Sequence, residues 1–102
     1  MKFGLSPQDR ELIESIFRKE IPNPVGIRVY IFGSRVGARY QKYSDVDLLL
    51  EGGPLPAETL STIAERLEES VLPYKVDLVD ARKLAPEYAE SVNRTKQLFF
   101  SI

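Results

Sequence analysis

The sequence predicts an α/β (α+β) fold in which helices pack on a β-sheet. Two sets of apolar residues recur at helical spacing: Leu12, Ile13, Ile16, Phe17 and Ile21, then Leu60, Ile63, Ala64, Leu67 and Val71. Three short runs, Ile27–Phe32, Val46–Glu51 and Lys75–Asp80, are β-branched, aromatic or alternating. The two kinds of segment alternate along the chain, and that order calls for a sheet covered by helices.

Ser6-Pro7 opens the first helix, since Ser caps a helix and Pro is preorganised just inside its start. Pro22 and Pro24 end it. Gly26 and Gly33 bound the first strand. Residues 33–44 have no clean period and read as a loop, or as a short helix with a loop. Gly52-Gly53-Pro54 breaks the second strand. The second helical stripe ends near Pro73, and Asp80 ends the third strand or caps the turn after it. Pro86 to about Val92 reads as a short helix, and Gln97–Ser101 as a last short strand. Both helical stripes and the Phe99-Phe100 pair are expected in the core.

At 102 residues the chain suits one domain, 1–102, with no internal repeat, low-complexity tract or linker. The net charge of −1 argues against a generic nucleic-acid binder. Without Cys there is neither a disulfide framework nor a thiolate metal site. Without His, catalysis must rest on carboxylates, hydroxyls, Lys or Arg, aided by a hard cation. No stretch approaches the roughly 20 apolar residues that span a bilayer, and acidic residues come too early for a signal peptide, so a cytoplasmic protein is expected.

The chemistry concentrates between Gly33 and Leu50. Asp45 and Asp47 stand two apart at the start of a strand, so they share a face while Val46 and Leu48 turn to the core. Two carboxylates about 4 Å apart repel by roughly 1 kcal/mol in water and about 4 kcal/mol near a protein surface. A cation, a proton or distance must relieve that. An all-oxygen site suits Mg²⁺ or Mn²⁺. Asp77, between Val76 and Leu78, faces away from the core on the third strand. If the second and third strands are neighbours, three carboxylates meet on one face, which is a two-metal phosphoryl-transfer arrangement. Gly33-Ser34 follows the first strand directly. There Gly lets a backbone N–H approach a phosphate, and Ser34 adds a hydroxyl. Arg35, Arg39 and Lys42 are available for a triphosphate.

Each feature alone has a plainer reading. Gly-Ser-Arg after a strand is commonly a turn, Asp-x-Asp a solvated turn, and Asp77 a surface residue or ion-pair partner. Their order and spacing decide. Gly33-Ser34, ten residues, Asp45-Val46-Asp47 and a later strand Asp resemble the nucleotidyltransferase superfamily that includes DNA polymerase beta. The small size is similar to its minimal nucleotidyltransferase branch.

That resemblance implies a small mixed sheet flanked by helices, with Asp45, Asp47 and Asp77 as catalytic metal ligands for two Mg²⁺ ions. It implies nucleotide binding by Gly33, Ser34, Arg35 and Arg39. The reaction implied is in-line attack on the α-phosphate of ATP or another nucleoside triphosphate. Family members often read Gly-Ser-Arg-Ala-Arg-Gly, whereas this chain has Gly33-Ser34-Arg35-Val36-Gly37-Ala38. The change leaves two outcomes open: compensation by Arg39, or weak phosphate affinity. Small members of the branch resemble antitoxins paired with HEPN-type toxins, so the implied acceptor is a partner's hydroxyl, such as a Tyr. The alternative is a non-catalytic antitoxin or nucleotide-binding module of the same fold. A nucleic-acid acceptor is weighed down by the charge and by the lack of a basic or aromatic run.

Overall fold

The computed structural model describes residues 2–21, 26–37, 41, 43–53 and 55–102. Four strands form one mixed sheet: β1 (Arg28–Phe32), β2 (Val46–Glu51), β3 (Val76–Asp80) and β4 (Gln97–Ser101). The strand order is β3-β2-β1-β4. β1 runs antiparallel to β2 and to β4, and β2 runs parallel to β3. The helices are α1 (Pro7–Glu20), α2 (Ala57–Glu69) and α3 (Pro86–Thr95). The expected small mixed sheet flanked by helices is what the chain forms.

α1 begins as its sequence dictates. The Ser6 hydroxyl accepts from the Asp9 N–H at 3.1 Å, and Pro7 is the first helical residue. Its apolar stripe then buries Ile13 and Phe17 completely. α2 does the same with Ile63 and Leu67. These side chains meet Val29, Ile31, Val46, Leu48 and Leu50 from one sheet face. Burying each such side chain stabilises the fold by roughly 1.5–3 kcal/mol relative to exposure. Val71 belongs to no such core. α2 ends at Glu69, its cap Ser70 bonds back to Leu67, and Val71 is 89% exposed. The expected stripe therefore ran one turn too far, because Ser70 offers its hydroxyl to the Leu67 carbonyl and stops the helix.

α3 continues to Thr95, three residues beyond the expected end. Lys96 then turns back over the other sheet face. There its Nζ lies 4.4 Å from the centre of the Tyr30 ring and pairs with Glu51. β4 carries an irregularity opposite Val29 and Tyr30. An extra residue in one strand breaks the alternation of faces, and the consecutive Phe99 and Phe100 both bury as a result. Phe100 meets Phe17 edge-on at 5.2 Å, and Phe99 meets Phe3 at 6.2 Å.

Pro22, Pro24 and Pro54, expected to end elements, lie outside the described residues. Ile21 caps α1, and Asp80 both ends β3 and accepts from the Arg82 N–H.

Candidate active site

Two strand pairings assemble the site. The antiparallel β1–β2 register sets Phe32 opposite Asp47. The chain leaves β1 at Gly33, immediately beside that pair. The parallel β2–β3 register sets Asp47 opposite Asp77. Alternation turns both carboxylates away from the helix-covered face, while Val46 and Leu48 are fully buried on it. Asp77 is where strand alternation had put it, and β2 and β3 are indeed neighbours.

Gly33 is required where it stands. Its φ is +79°, a region that costs an L-residue about 1–2 kcal/mol. A Cβ here would also stand 2.4 Å from Asp47 Oδ2. The missing side chain is the space that lets the Asp47 carboxylate lie against the start of the Gly33–Val36 3₁₀ turn. Gly33 and Ser34 are both exposed beside it. Gly33→Ala should therefore keep the fold but push Asp47 aside. We expect a stability loss of about 1–2 kcal/mol, read by melting.

The carboxylates feel one another. Partial burial raises the Asp47 pKa above the usual carboxylate range, and the charges of Asp77 and then Asp45 raise it further. Lys75 Nζ stands 3.5 Å from Asp77 Oδ1 and offsets part of that negative charge. Among the described residues, no three acidic side chains are drawn together tightly enough to hold a metal ion. The donor set still fits a hard cation. It offers only carboxylate oxygens, and its most buried member, Asp47, bears a cost of burial and of like charge that a divalent cation would offset.

Arg35 departs from expectation. Expected on the triphosphate, it is 1% exposed and turned inward. Its Nε and Nη2 donate to the Ser44 carbonyl at 3.1 and 2.7 Å, and its Nη1 donates to the carbonyls of Phe3 and Gly4 at 3.1 and 3.3 Å. The guanidinium also lies 4.6 Å from the centre of the Tyr74 ring. The Tyr74 hydroxyl in turn donates to Asp9 at 2.9 Å. Burial and that bond to Asp9 push the Tyr74 pKa well above its ordinary value, so it stays protonated. Arg35 thus ties the chain start, the residue before Asp45 and the turn before β3 to one point. Sequence reasoning missed this because backbone carbonyls leave no residue signature. Arg39 and Lys42 lie outside the described residues.

A family model described as polymerase beta, nucleotidyltransferase matches residues 11–102. The chain belongs to the polymerase beta nucleotidyltransferase family. It is a nucleotidyltransferase by that membership, and its Gly33–Ser34 turn and paired strand acids lie within the matched span. Among related proteins, it is 29% identical over 94 residues to a probable protein adenylyltransferase MntA of Haemophilus influenzae, covering 91% of this chain and 80% of the relative. Its fold resembles a toxin–antitoxin crystallised with AMP-PNP, at a TM-score of 0.72 and 23% identity, over 92% of this chain and 74% of the other. It also resembles a nucleotidyltransferase structure from Sulfolobus solfataricus, at a TM-score of 0.52 and 23% identity, over 90% and 76% of the two chains. Among the described residues, no helix is long and apolar enough to cross a membrane.

Proposed function

We propose that this nucleotidyltransferase moves AMP from ATP onto a hydroxyl of a partner protein, as the antitoxin of a toxin–antitoxin pair. The acceptor in this reading is a Tyr of a HEPN-type toxin, and the pair works in the cytoplasm. The observation that carries the reading is the Asp47–Asp77 register beside Gly33. It places two repelling carboxylates next to a turn whose missing Cβ keeps the approach open. The MntA relative, named as a probable adenylyltransferase, supports the choice of AMP.

In this reading Gly33 and Ser34 offer backbone and hydroxyl donors to the triphosphate, and Arg39 adds a cation. Asp45, Asp47 and Asp77 would hold two Mg²⁺ ions, which would offset the charge developing on the phosphoryl oxygens. The acceptor oxygen forms a bond to the α-phosphorus. The bond from that phosphorus to the bridging oxygen breaks, and pyrophosphate leaves. Asp77 accepts the hydroxyl proton. The protein's own contribution is mainly positioning, as is general for phosphoryl transfer.

Calorimetric titration of ATP, with Mg²⁺ and then with EDTA, tests the site. Wild type should bind only with Mg²⁺, and Asp45→Asn/Asp47→Asn should lose that binding. Equal affinity with and without metal would sink the reading. A contact-only antitoxin is the competing view, favoured by the inward turn of Arg35. It expects Asp47→Asn to neutralise the toxin as well as wild type does.

A further inference from the structure

β3 is an edge strand, and among the described residues nothing pairs with its outer side. Val76, Leu78 and Val79 are apolar but only half-buried there, unlike their fully buried counterparts on β2. An apolar edge strand left unpaired on its outer side is a liability that proteins usually blunt or cover. Between this edge and α2 runs a groove of about 720 Å³, walled by Leu60, Ala64, Leu67, Val76 and Leu78, with Asp77 at its rim.

The main-chain groups of the edge point outward at the right residues. The Val46 N–H donates to the Lys75 carbonyl at 2.8 Å, so the Lys75 groups face β2. Alternation then turns the N–H and C=O of Val76 and Leu78 to the outer side. Resting on the transferase reading, in-line chemistry adds a direction. Gly33 lies on the β1 side of Asp47 and Asp77 on the β3 side. Pyrophosphate leaving toward Gly33–Ser34 requires the attacking hydroxyl to arrive opposite it, from β3.

We propose that the outer edge of β3 and its groove with α2 seat an extended segment of the partner protein that carries the acceptor hydroxyl. The segment adds to the sheet as a fifth strand. Its successive side chains point to opposite faces, so apolar neighbours enter the groove while the hydroxyl residue between them turns toward Asp77. The acceptor sequence is therefore apolar–Tyr–apolar. Glu68 and Asp77 at the rim, against Lys75, disfavour an RNA strand.

The test uses isotope-labelled protein and a synthetic peptide containing Val-Tyr-Val, with a Gly-Tyr-Gly peptide and a short oligoribonucleotide as comparisons. Amide shifts under the Val-Tyr-Val peptide should cluster at residues 75–80 and 60–68. Ser61→Trp fills the groove from an exposed helix position, and Val76→Pro removes one outward N–H without touching the β2 ladder. Each should weaken peptide binding by about tenfold and leave Mg²⁺–ATP binding unchanged. Shifts elsewhere, equal binding of Gly-Tyr-Gly, displacement by the oligoribonucleotide, or indifference to both variants would overturn the proposal. These readouts need no turnover. Absent transfer with shifts on β3 would count against the transferase reading, while transfer with shifts elsewhere would count against the docking edge alone.

Discussion

Replacing Asp47 by Asn should weaken transfer and stabilise the fold at the same time. The loss follows from its place between Gly33 and Asp77. Under the proposed two-metal reading, losing this carboxylate forfeits several kcal/mol of charge stabilisation, about 10³-fold or more in rate. The gain follows from its pKa, which burial and then the charges of Asp77 and Asp45 raise in the folded state. The folded chain thus binds more protons than the unfolded chain between the ordinary value of 3.8 and that raised value. Wild-type stability falls as pH rises through this window and stays lowered above it. The Asn variant carries no such cost. Its melting temperature should exceed that of wild type at pH 7 without Mg²⁺, and the gap should close below the ordinary carboxylate value. A variant no more stable than wild type at pH 7 would mean that burial and the neighbouring acids do not penalise the Asp47 charge. Thermal melts across pH and a single-turnover transfer assay read the two effects separately.

Arg35→Met should be the most damaging single change for folding. The guanidinium satisfies the carbonyls of Phe3, Gly4 and Ser44 from a position with almost no access to solvent. A buried acceptor left unmet costs about 1–3 kcal/mol. Three of them would remove about 3–9 kcal/mol from a domain whose whole stability is about 5–15 kcal/mol. The melting temperature should fall by about 15 °C or more. Arg35→Lys keeps the charge but cannot fork across separated carbonyls, so it should recover only part of the loss. Were Arg35 a triphosphate ligand, the Met variant would melt like wild type and bind ATP weakly. Chemical denaturation of both variants decides between the two roles.

What the chain announced and what it concealed divide along one line. Period-two alternation at Asp45-Val46-Asp47 and Val76-Asp77-Leu78 was enough to put the acids opposite the core. Glycine after a strand was enough to mark the turn at Gly33. These signals are local, and a face or a turn is a local property. Strand neighbourhood was not local: the Asp47–Asp77 register depends on which way α2 returns the chain. The role of Arg35 was less visible still, because its partners are backbone oxygens from residues 3, 4 and 44. The burial of two consecutive Phe residues was expected, but the strand irregularity that permits it was not. Val71 misled because an apolar residue at helical spacing says nothing of a cap one residue earlier.

The strand order also sets a sequence of events during folding. β1 meets β2 across a short span and β2 meets β3 after one helix, but β1 meets β4 only from the far end of the described chain. Closing a longer loop is entropically slower, so the half of the sheet that bears Gly33, Asp47 and Asp77 can form first. Until β4 docks, Phe17 lacks the Phe100 ring that packs edge-on against it. A nascent chain thus passes through a stage in which the strands that bear Gly33, Asp47 and Asp77 are in place while the hydrophobic floor beneath them is still wet, and aggregation at that stage competes with the last strand.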